Sequence, residues 1–238
     1  YWPYNLSLTL RHYDFASVDS SGWGAYWNSI QLACWTAVIG TTILFTGAWL
    51  VEKSRAFGPL RMVAQFFAML PLAVPGLVLG LSYIFFFIDP ANPFNFIYAT
   101  MAILVINSLA HFYTVGHLTA TTALKQIDPE FEAVSASLKV PVWRTFGRVT
   151  VPVCLPAVLD IAVYLFVNAM TTVSAVIFLY GADTKLASIS VVSMDESGKT
   201  ASAAAMALMI VLTSAGVKLL QVLLSRVVLA RTQAWRKR

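Results

Sequence analysis

Residues 30–51, IQLACWTAVIGTTILFTGAWLV, form an apolar segment without a charged side chain. A helix needs about 20 such residues to cross the hydrocarbon core of a bilayer. Four further long apolar segments follow along the chain, at residues 62–88, 96–118, 151–180 and 201–228. The fourth is long enough to be tilted or broken. The sequence therefore predicts an all-α integral membrane protein in which five transmembrane helices are present.

The composition of the whole chain agrees with a membrane location. Of the 238 residues, 58% are hydrophobic and 11% are charged, whereas a soluble domain carries about 25% charged residues. The mean hydropathy of +0.73 excludes an ordinary soluble enzyme and also a disordered chain, which needs low hydrophobicity and high charge. The net charge of +5 does not predict nucleic-acid binding, because the basic residues lie between the apolar segments. Cys34 and Cys154 both lie within apolar segments and lack metal-ligand spacing, so we expect no disulfide and no metal site.

Basic side chains distinguish the two sides of the membrane. One alternating set of loops carries most of the 16 Lys and Arg residues, and the other set is rich in Asp. Because positively charged loops stay in the cytoplasm, we expect residues 1–28 to be an outer loop and 29–228 the membrane domain. Residues 229–238 are then a basic cytoplasmic tail. An odd number of spans that starts outside also leads us to expect an earlier helix, or a whole earlier half, before this chain.

The loop between the third and fourth apolar segments, residues 119–150, is much longer than a simple connection between helices. Asp128 followed by Pro129 is typical of a helix start. Glu130 and Glu132 then fall in the first turn, where the helix dipole favours negative charge. The pattern predicts a short cytoplasmic helix that begins at this point.

The apolar side chains of this loop predict an amphipathic elbow. Phe131, Val134 and Leu138 share one face by their three- and four-residue spacing. Pro141 ends the first helix, and a second short helix is expected over residues 142–149. Its aromatic and basic side chains are Trp143, Phe146, Arg144 and Arg148, with both aromatic rings expected on one side. A knob that docks into a partner's groove and a helix that lies on the membrane surface both fit this pattern.

The same loop resembles the EAA loop of ABC-importer permeases of the binding-protein-dependent, type I family. That pattern is Glu-Ala-Ala, three residues, Gly, and later a Phe and a Leu-Pro. Residues 133–135 occupy the Glu-Ala-Ala place and residues 138–139 the Leu-Gly place, while 143–146 match the aromatic and basic run and 149–152 match the end.

Two positions depart from the EAA pattern. The signature Glu is Ala133, with Glu132 one place early, and the signature Gly is Lys139. Because the family's Gly permits a tight turn, a lysine at positive φ would be unfavourable there. We expect this loop to dock less tightly than its relatives, or in a changed geometry.

The resemblance extends to other parts of the chain. Residues 69–80, MLPLAVPGLVLG, resemble the Leu-Pro-x-x-x-Pro-Gly segment of the same family, and Asn28-Ser29 resembles its Asn-Ser entry to the first span. Residues 171–180 and 186–188 are similar to permeases for 2-aminoethylphosphonate. Ferric-iron permeases share the Leu-Pro-x-x-x-Pro-Gly segment and are the alternative.

The resemblance implies a six-helix MetI-like permease fold with cytoplasmic coupling helices, in the inner membrane of a bacterium with residue 1 in the periplasm. It implies a second permease domain, a dimer of ATP-binding subunits that holds ATP and Mg²⁺, a periplasmic substrate-binding protein and the lipid bilayer as partners. No cofactor is expected in this chain. The residues expected to couple to the ATPase are Asp128, Glu130, Phe131, Glu132, Val134, Leu138, Trp143, Arg144 and Phe146.

Irregular helices and polar groups at mid-membrane depth are the features that a transport path requires. The candidates are Pro71, Pro75, Gly76, Asn107, His111, Asp160, Asn168, Thr171 and Thr172, with Ser174 in the same polar cluster. The prolines are expected to break the second span, although a static kink remains an alternative. The polar groups can instead bond their own backbone or a neighbouring helix.

Asp160 is the one acidic residue inside an apolar segment. A buried charge there is costly and often marks a function. The carboxylate can pair with an ammonium-bearing cargo or with a partner subunit, or it can be protonated. Structural pairing is the preferred interpretation.

No pattern in the chain predicts catalysis. The phosphate-binding loop Gly-x-x-x-x-Gly-Lys-Ser/Thr does not occur in the sequence, and neither do the spacings of a hydrolytic or zinc site. We therefore predict a permease for a small solute, with 2-aminoethylphosphonate as the first cargo candidate and ferric iron or another small anion as the alternative. An ion-coupled secondary transporter or channel is the alternative from another class, with only Asp160 available for ion coupling.

Overall fold

The computed structural model describes residues 9–53 and 58–232, and beyond residue 226 it describes the backbone alone. Three segments lie outside the described residues. They are residues 1–8 of the expected outer loop, residues 54–57 with the basic Arg55, and residues 233–238 of the expected basic tail. Ten α-helices follow one another in the described part of the chain: α1 Gly22–Lys53, α2 Gly58–Ala73, α3 Gly76–Phe87, α4 Met101–Lys125, α5 Glu130–Ser137, α6 Val142–Thr145, α7 Val151–Val153, α8 Leu155–Thr171, α9 Ala187–Glu196 and α10 Thr200–Thr232. A π-helix over Phe146–Thr150 joins α6 to α7.

Three of these helices, α1, α4 and α10, are long and apolar enough to cross a membrane. Two further spans are bent pairs: α2 and α3 meet at 107°, and the segment Val142–Val153 meets α8 at 75°. The described residues thus hold up to five spans if each bent pair is one span, as the sequence predicted. The second and fourth spans are broken, and the fourth ends at Thr171, with turns in place of helix up to residue 180.

The break in the second span lies at Pro75, and the expectation that Pro71 also breaks the helix is wrong. Pro71 lies in the last turn of α2, where its fixed φ is already helical and only its own amide hydrogen bond is lost. Pro75 has ψ 140° and precedes Gly76, the first residue of α3. That extended backbone, together with the missing amide hydrogen, stops the helix.

The core forms where α1 packs against α4 and α8. Two glycines allow the close approach, because a Cβ on Gly40 would lie 2.6 Å from Leu165 Cδ1 and one on Gly116 would lie 2.6 Å from Leu44 Cδ1. Leu44 and Leu165 are fully buried. Small residues at helix crossings are typical of membrane proteins, where close packing replaces the hydrophobic effect.

The predicted outer end is held by contacts that the sequence did not reveal. Residues 22–28, expected in the outer loop, form the first turns of α1. Asn28 Nδ2 donates hydrogen bonds to the carbonyls of Asp183 (2.8 Å) and Lys185 (3.0 Å). Ser29 Oγ accepts one from the Ala187 amide at the start of α9. Asn28 and Ser29 thereby fix the buried start of α9, and the segment before it, to the first span.

The predicted inner end carries the elbow. Asp128 Oδ1 accepts a hydrogen bond from the Glu130 amide (2.9 Å), so the predicted helix start is confirmed to within two residues. At the other end of α5, the Lys139 amide donates to Ala136 and the Val140 amide to the Ser135 carbonyl, the pattern of a helix end with a left-handed residue. Lys139 has φ 54°. Lys139 therefore adopts the positive φ that is unfavourable for a lysine. The looser docking or changed geometry expected from this departure stays a prediction.

The Asp19–Lys185 ion pair at the outer end leads to a prediction about pH. Burial raises the pKa of Asp19, but hydrogen bonds from Lys185 and from the Ser21 amide outweigh it and hold the pKa below its ordinary value of 3.8. A carboxylate with a lowered pKa contributes stability above pH 3.8, and this contribution is lost as the pH falls through the folded-state value. We expect Asp19→Asn to lower thermal stability at neutral pH by about 1 kcal/mol. The loss of thermal stability in Asp19→Asn, relative to the unmodified protein, should become smaller below pH 3.8. A loss that stays the same at every pH in thermal unfolding would contradict this prediction.

The left-handed turn at Lys139 leads to a second prediction. A non-glycine residue in this conformation costs about 1 kcal/mol, so Lys139→Gly should raise the thermal stability of the purified protein by that amount. Lys139→Ala is the matched control, because it removes the same side chain and keeps a Cβ at positive φ. Equal melting temperatures of the two variants would show that the backbone at residue 139 carries no strain.

Candidate functional site

The elbow formed by α5 and α6 presents apolar side chains to the outside. Phe131, Val134 and Leu138 are exposed, Leu138 at 69% of its surface, and Trp143 at 72%. Between the two helices lies a groove of about 540 Å³ with Asp128, Glu130, Arg144 and Arg148 among its charged lining residues. An exposed apolar patch with a charged rim marks an interaction surface. Six of the expected coupling residues line this groove, namely Asp128, Glu130, Phe131, Val134, Leu138 and Arg144, and Trp143 is exposed on α6.

Phe146 does not belong to this exposed surface, and the expectation that it shares a side with Trp143 is wrong. Its ring packs on α1, with ring centroids 4.4 Å from Trp49 and 6.0 Å from Phe45. The chain passes from α6 into the wider π-helix at Phe146. Phe146 is an anchor of the elbow.

Glu132 connects the elbow to the end of the first span. Its carboxylate forms an ion pair with Lys53 Nζ at the last residue of α1, and the adjacent Glu52 accepts a hydrogen bond from Arg61 of α2 (2.7 Å). Sequence reasoning missed Trp49 and Lys53. Trp49 and Lys53 are four residues apart and so lie on one face at the end of the first span. That shared face could have indicated a contact surface for the elbow.

Mid-membrane polar residues meet at the break in the second span. A Cβ on Gly76 would lie 2.7 Å from Ser174 Oγ and 3.3 Å from His111 Nε2, so the start of α3, the middle of α4 and the turn after α8 touch one another. His111 is half-buried and Ser174 is exposed. Gly76, His111 and Ser174 therefore lie together, with Pro75 at the break beside them. That this junction belongs to a transport path stays a prediction.

Two of the expected path residues are structural. Asn107 is fully buried, and its Nδ2 donates to the Ala175 carbonyl (2.6 Å). Thr172 is buried, and its carbonyl accepts a hydrogen bond from Ser188 Oγ (2.6 Å). The turn after α8 covers Asn107, so its amide bonds the protein itself.

The other expected residues of the fourth span lie on α8. Asn168 Nδ2 donates to the Tyr164 carbonyl (2.8 Å), and Thr171 Oγ1 donates to the Val167 carbonyl (3.0 Å). Asp160 is exposed, and its Oδ1 accepts a hydrogen bond from Nε2 of Gln221 on α10. Gln221 is a buried partner that sequence reasoning missed; an isolated amide in the apolar second half of α10 was the signal.

Fixed metal chelation finds no support in the described part of the chain. No three His, Cys, Asp or Glu side chains within residues 9–53 and 58–232 converge on one point where a metal ion could be held.

Solved structures show the same fold. The chain superposes with a TM-score of 0.77 on a bacterial ABC transporter involved in the import of the acidic polysaccharide alginate, covering 93% of this chain and 85% of that chain at 14% identity. The alginate transporter in complex with a periplasmic protein that carries an alginate pentasaccharide gives a TM-score of 0.75, covering 90% and 81%. At this level of identity the likeness shows the MetI-like fold alone.

Similar proteins of known description include iron permeases. A ferric transport system permease protein of Actinobacillus pleuropneumoniae is 31% identical over 201 residues, which is 83% of this chain and 28% of that protein. One of Haemophilus influenzae is 34% identical over 188 residues, 78% of this chain and 29% of that protein. The chain thus spans less than a third of the length of either relative.

A family model also matches most of the chain. The model for the binding-protein-dependent transport system inner membrane component covers residues 27–229. The match includes the broken second span, the elbow and α8. The chain therefore belongs to the family of inner membrane permease components of binding-protein-dependent ABC importers.

Proposed function

We propose that this chain is the membrane-spanning part of an ATP-driven importer whose cargo is ferric iron. The observation that carries the proposal is the exposed apolar elbow that is anchored to the membrane helices. Ferric iron is favoured over 2-aminoethylphosphonate, the first candidate from sequence, because the relatives from Actinobacillus pleuropneumoniae and Haemophilus influenzae are described as ferric permeases.

The elbow fits a docking site for a partner that hydrolyses ATP. Its apolar side chains are well placed to bury themselves in a partner's groove. The two acidic and two basic residues at the rim can pair with complementary charges on that partner. A helix that merely lies on the membrane would not need the groove between α5 and α6. We infer that ATP and Mg²⁺ bind to the partner dimer and that this chain supplies no catalytic group.

The contacts of the elbow suggest how a push on it reaches the membrane. Phe146 packs against Trp49 and Phe45 of α1, and Glu132 pairs with Lys53 at the end of the same helix. Because protein interiors are close-packed and transmit displacement, a movement of the elbow moves α1. The α1 helix packs along α4 and α8, so the movement reaches the broken spans.

The remaining partners follow from exposed surfaces and from the family. Only 11% of the apolar stretch of α10 that could cross the membrane is buried against the rest of this chain. Most of this helix is therefore free to contact lipid or a second permease domain. We expect a periplasmic substrate-binding protein to meet the opposite end, where α9 and the Asp19–Lys185 ion pair lie. This orientation follows from the distribution of basic residues.

Docking of the ATPase leads to a testable prediction. Leu138→Arg places a charge on the elbow surface and should reduce co-purification of the ATP-binding subunit at least about tenfold, the equivalent of about 1.4 kcal/mol. Leu10→Arg is the matched control, because Leu10 is 82% exposed and lies near the predicted outer end. Equal recovery of the subunit with both variants would contradict docking at the elbow.

Transport itself provides the second test. The complete transporter in proteoliposomes, supplied with its binding protein, should accumulate ferric iron only when ATP is present inside, because the driving force is hydrolysis on the partner. Uptake of 2-aminoethylphosphonate instead of iron would show that the proposed cargo is wrong. Uptake that persists without ATP and stops when the proton gradient is removed would show an ion-coupled transporter.

A further inference from the structure

Helix α8 has two chemically different faces. Its packed face consists of buried apolar residues, namely Ile161, Leu165, Phe166, Ala169 and Met170. Four polar residues follow one another on the opposite face at spacings of four, four and three: Asp160, Tyr164, Asn168 and Thr171. At 3.6 residues per turn they lie within an arc of about 80°. We call these four residues the α8 polar stripe.

None of the four side chains is buried in this chain. Asp160 and Thr171 are exposed, and Tyr164 and Asn168 are half-buried. A carboxylate that faces lipid near the middle of a membrane helix costs about 3 kcal/mol. The position of the stripe, opposite the packed face, therefore indicates that it faces a polar space or a polar partner in the assembled transporter.

Neighbouring helices hold the stripe in place. Gln221 of α10 donates its amide hydrogen to Asp160 Oδ1. Phe112 of α4 packs edge-on against the Tyr164 ring, with centroids 6.3 Å apart. His111, which precedes Phe112 on α4, contacts Gly76 at the break in the second span. The stripe thus runs beside α4 and α10 toward the junction of the broken spans.

After the hydrogen bonds of the α8 polar stripe are made, oxygen atoms remain that can accept from or coordinate a ligand. Asn168 donates one amide hydrogen, and Thr171 its hydroxyl hydrogen, to carbonyls of α8 itself. Asn168 then offers its Oδ1 and Thr171 its oxygen lone pairs, while Asp160 offers Oδ2 because Gln221 occupies Oδ1. With the phenol oxygen of Tyr164, the stripe presents four oxygen-bearing groups beside the donor hydrogens that Tyr164 and Asn168 keep. The one charged group among the four residues is the carboxylate of Asp160, which suits a cation.

We propose that the α8 polar stripe is the part of the transport path that contacts the cargo, and that it carries a hard metal cation such as ferric iron. The proposal rests on the proposed importer function. Carboxylate, phenol and amide oxygens are hard ligands and suit hard cations. Successive donors rise by about 6 Å along the helix, so a cation passes from one oxygen group to the next, and a single carboxylate holds it loosely enough to release it.

The test uses the complete transporter, with its ATPase and binding protein, in proteoliposomes loaded with ATP. Asp160→Asn keeps an oxygen acceptor for Gln221 and removes the charge. Tyr164→Phe removes one oxygen and keeps the ring that packs on Phe112. Tyr113→Phe is the matched control, because Tyr113 is a half-buried tyrosine on α4 whose ring stacks on His117.

We expect Asp160→Asn to lower the rate of ferric-iron uptake at least about tenfold, the lower range for losing a group that acts on a bound metal. Tyr164→Phe should lower it several-fold, and Tyr113→Phe should leave it unchanged. Stimulation of ATP hydrolysis by the binding protein should persist in all three variants, because the elbow is intact.

Three results would overturn the proposal, and they are distinguishable. If the unmodified transporter imports iron and both stripe variants import it equally well, the importer function stands and the stripe is not the path. If Asp160→Asn no longer assembles with its partners, the stripe is a structural contact to a second permease domain. If the unmodified transporter imports no iron while it hydrolyses ATP, the proposed cargo is wrong and the metal assignment of the stripe is wrong with it.

Discussion

The contact between Phe146 of the elbow and Trp49 of α1 joins the exposed elbow to the membrane helices. Its ring centroids are 4.4 Å apart, and it lies next to the ion pair between Lys53 and Glu132. Without it, α5 and α6 would be a loose loop on the surface of the membrane domain. With it, the exposed face of the elbow is fixed to the helix that forms the centre of the fold.

A second constraint applies inside the membrane, where backbone groups at a break in a helix must be covered by other parts of the protein. Helix α2 stops before Pro75, and helix α8 stops at Thr171. The turn after α8 packs against both breaks. A Cβ on Gly80 would lie 2.6 Å from the carbonyl oxygen of Ala175. The same oxygen accepts a hydrogen bond from Nδ2 of Asn107. Unpaired backbone groups are costly inside a membrane. The two breaks therefore stabilise each other at the point where polar side chains meet.

Much of this architecture was predictable from sequence, because it depends on local pattern. The apolar segments predicted the spans, and Asp128 predicted the start of α5. The unpredicted parts depend on distant contacts. Phe146 turns inward because Trp49 lies opposite it, Asn107 is buried because the turn after α8 covers it, and Pro71 stays helical because the break occurs at Pro75. Only the packed structure shows that Gln221 orients Asp160 or that Asn28 and Ser29 fix α9.

The proposed function requires the elbow to bind a partner that hydrolyses nucleotide. The most direct measurement places a photo-crosslinking amino acid at Trp143, which is 72% exposed, in cells that express the complete transporter. We expect a crosslinked product that contains the ATP-binding subunit, in an amount that changes when nucleotide is bound. Crosslinks to lipid alone, with and without nucleotide, would contradict it.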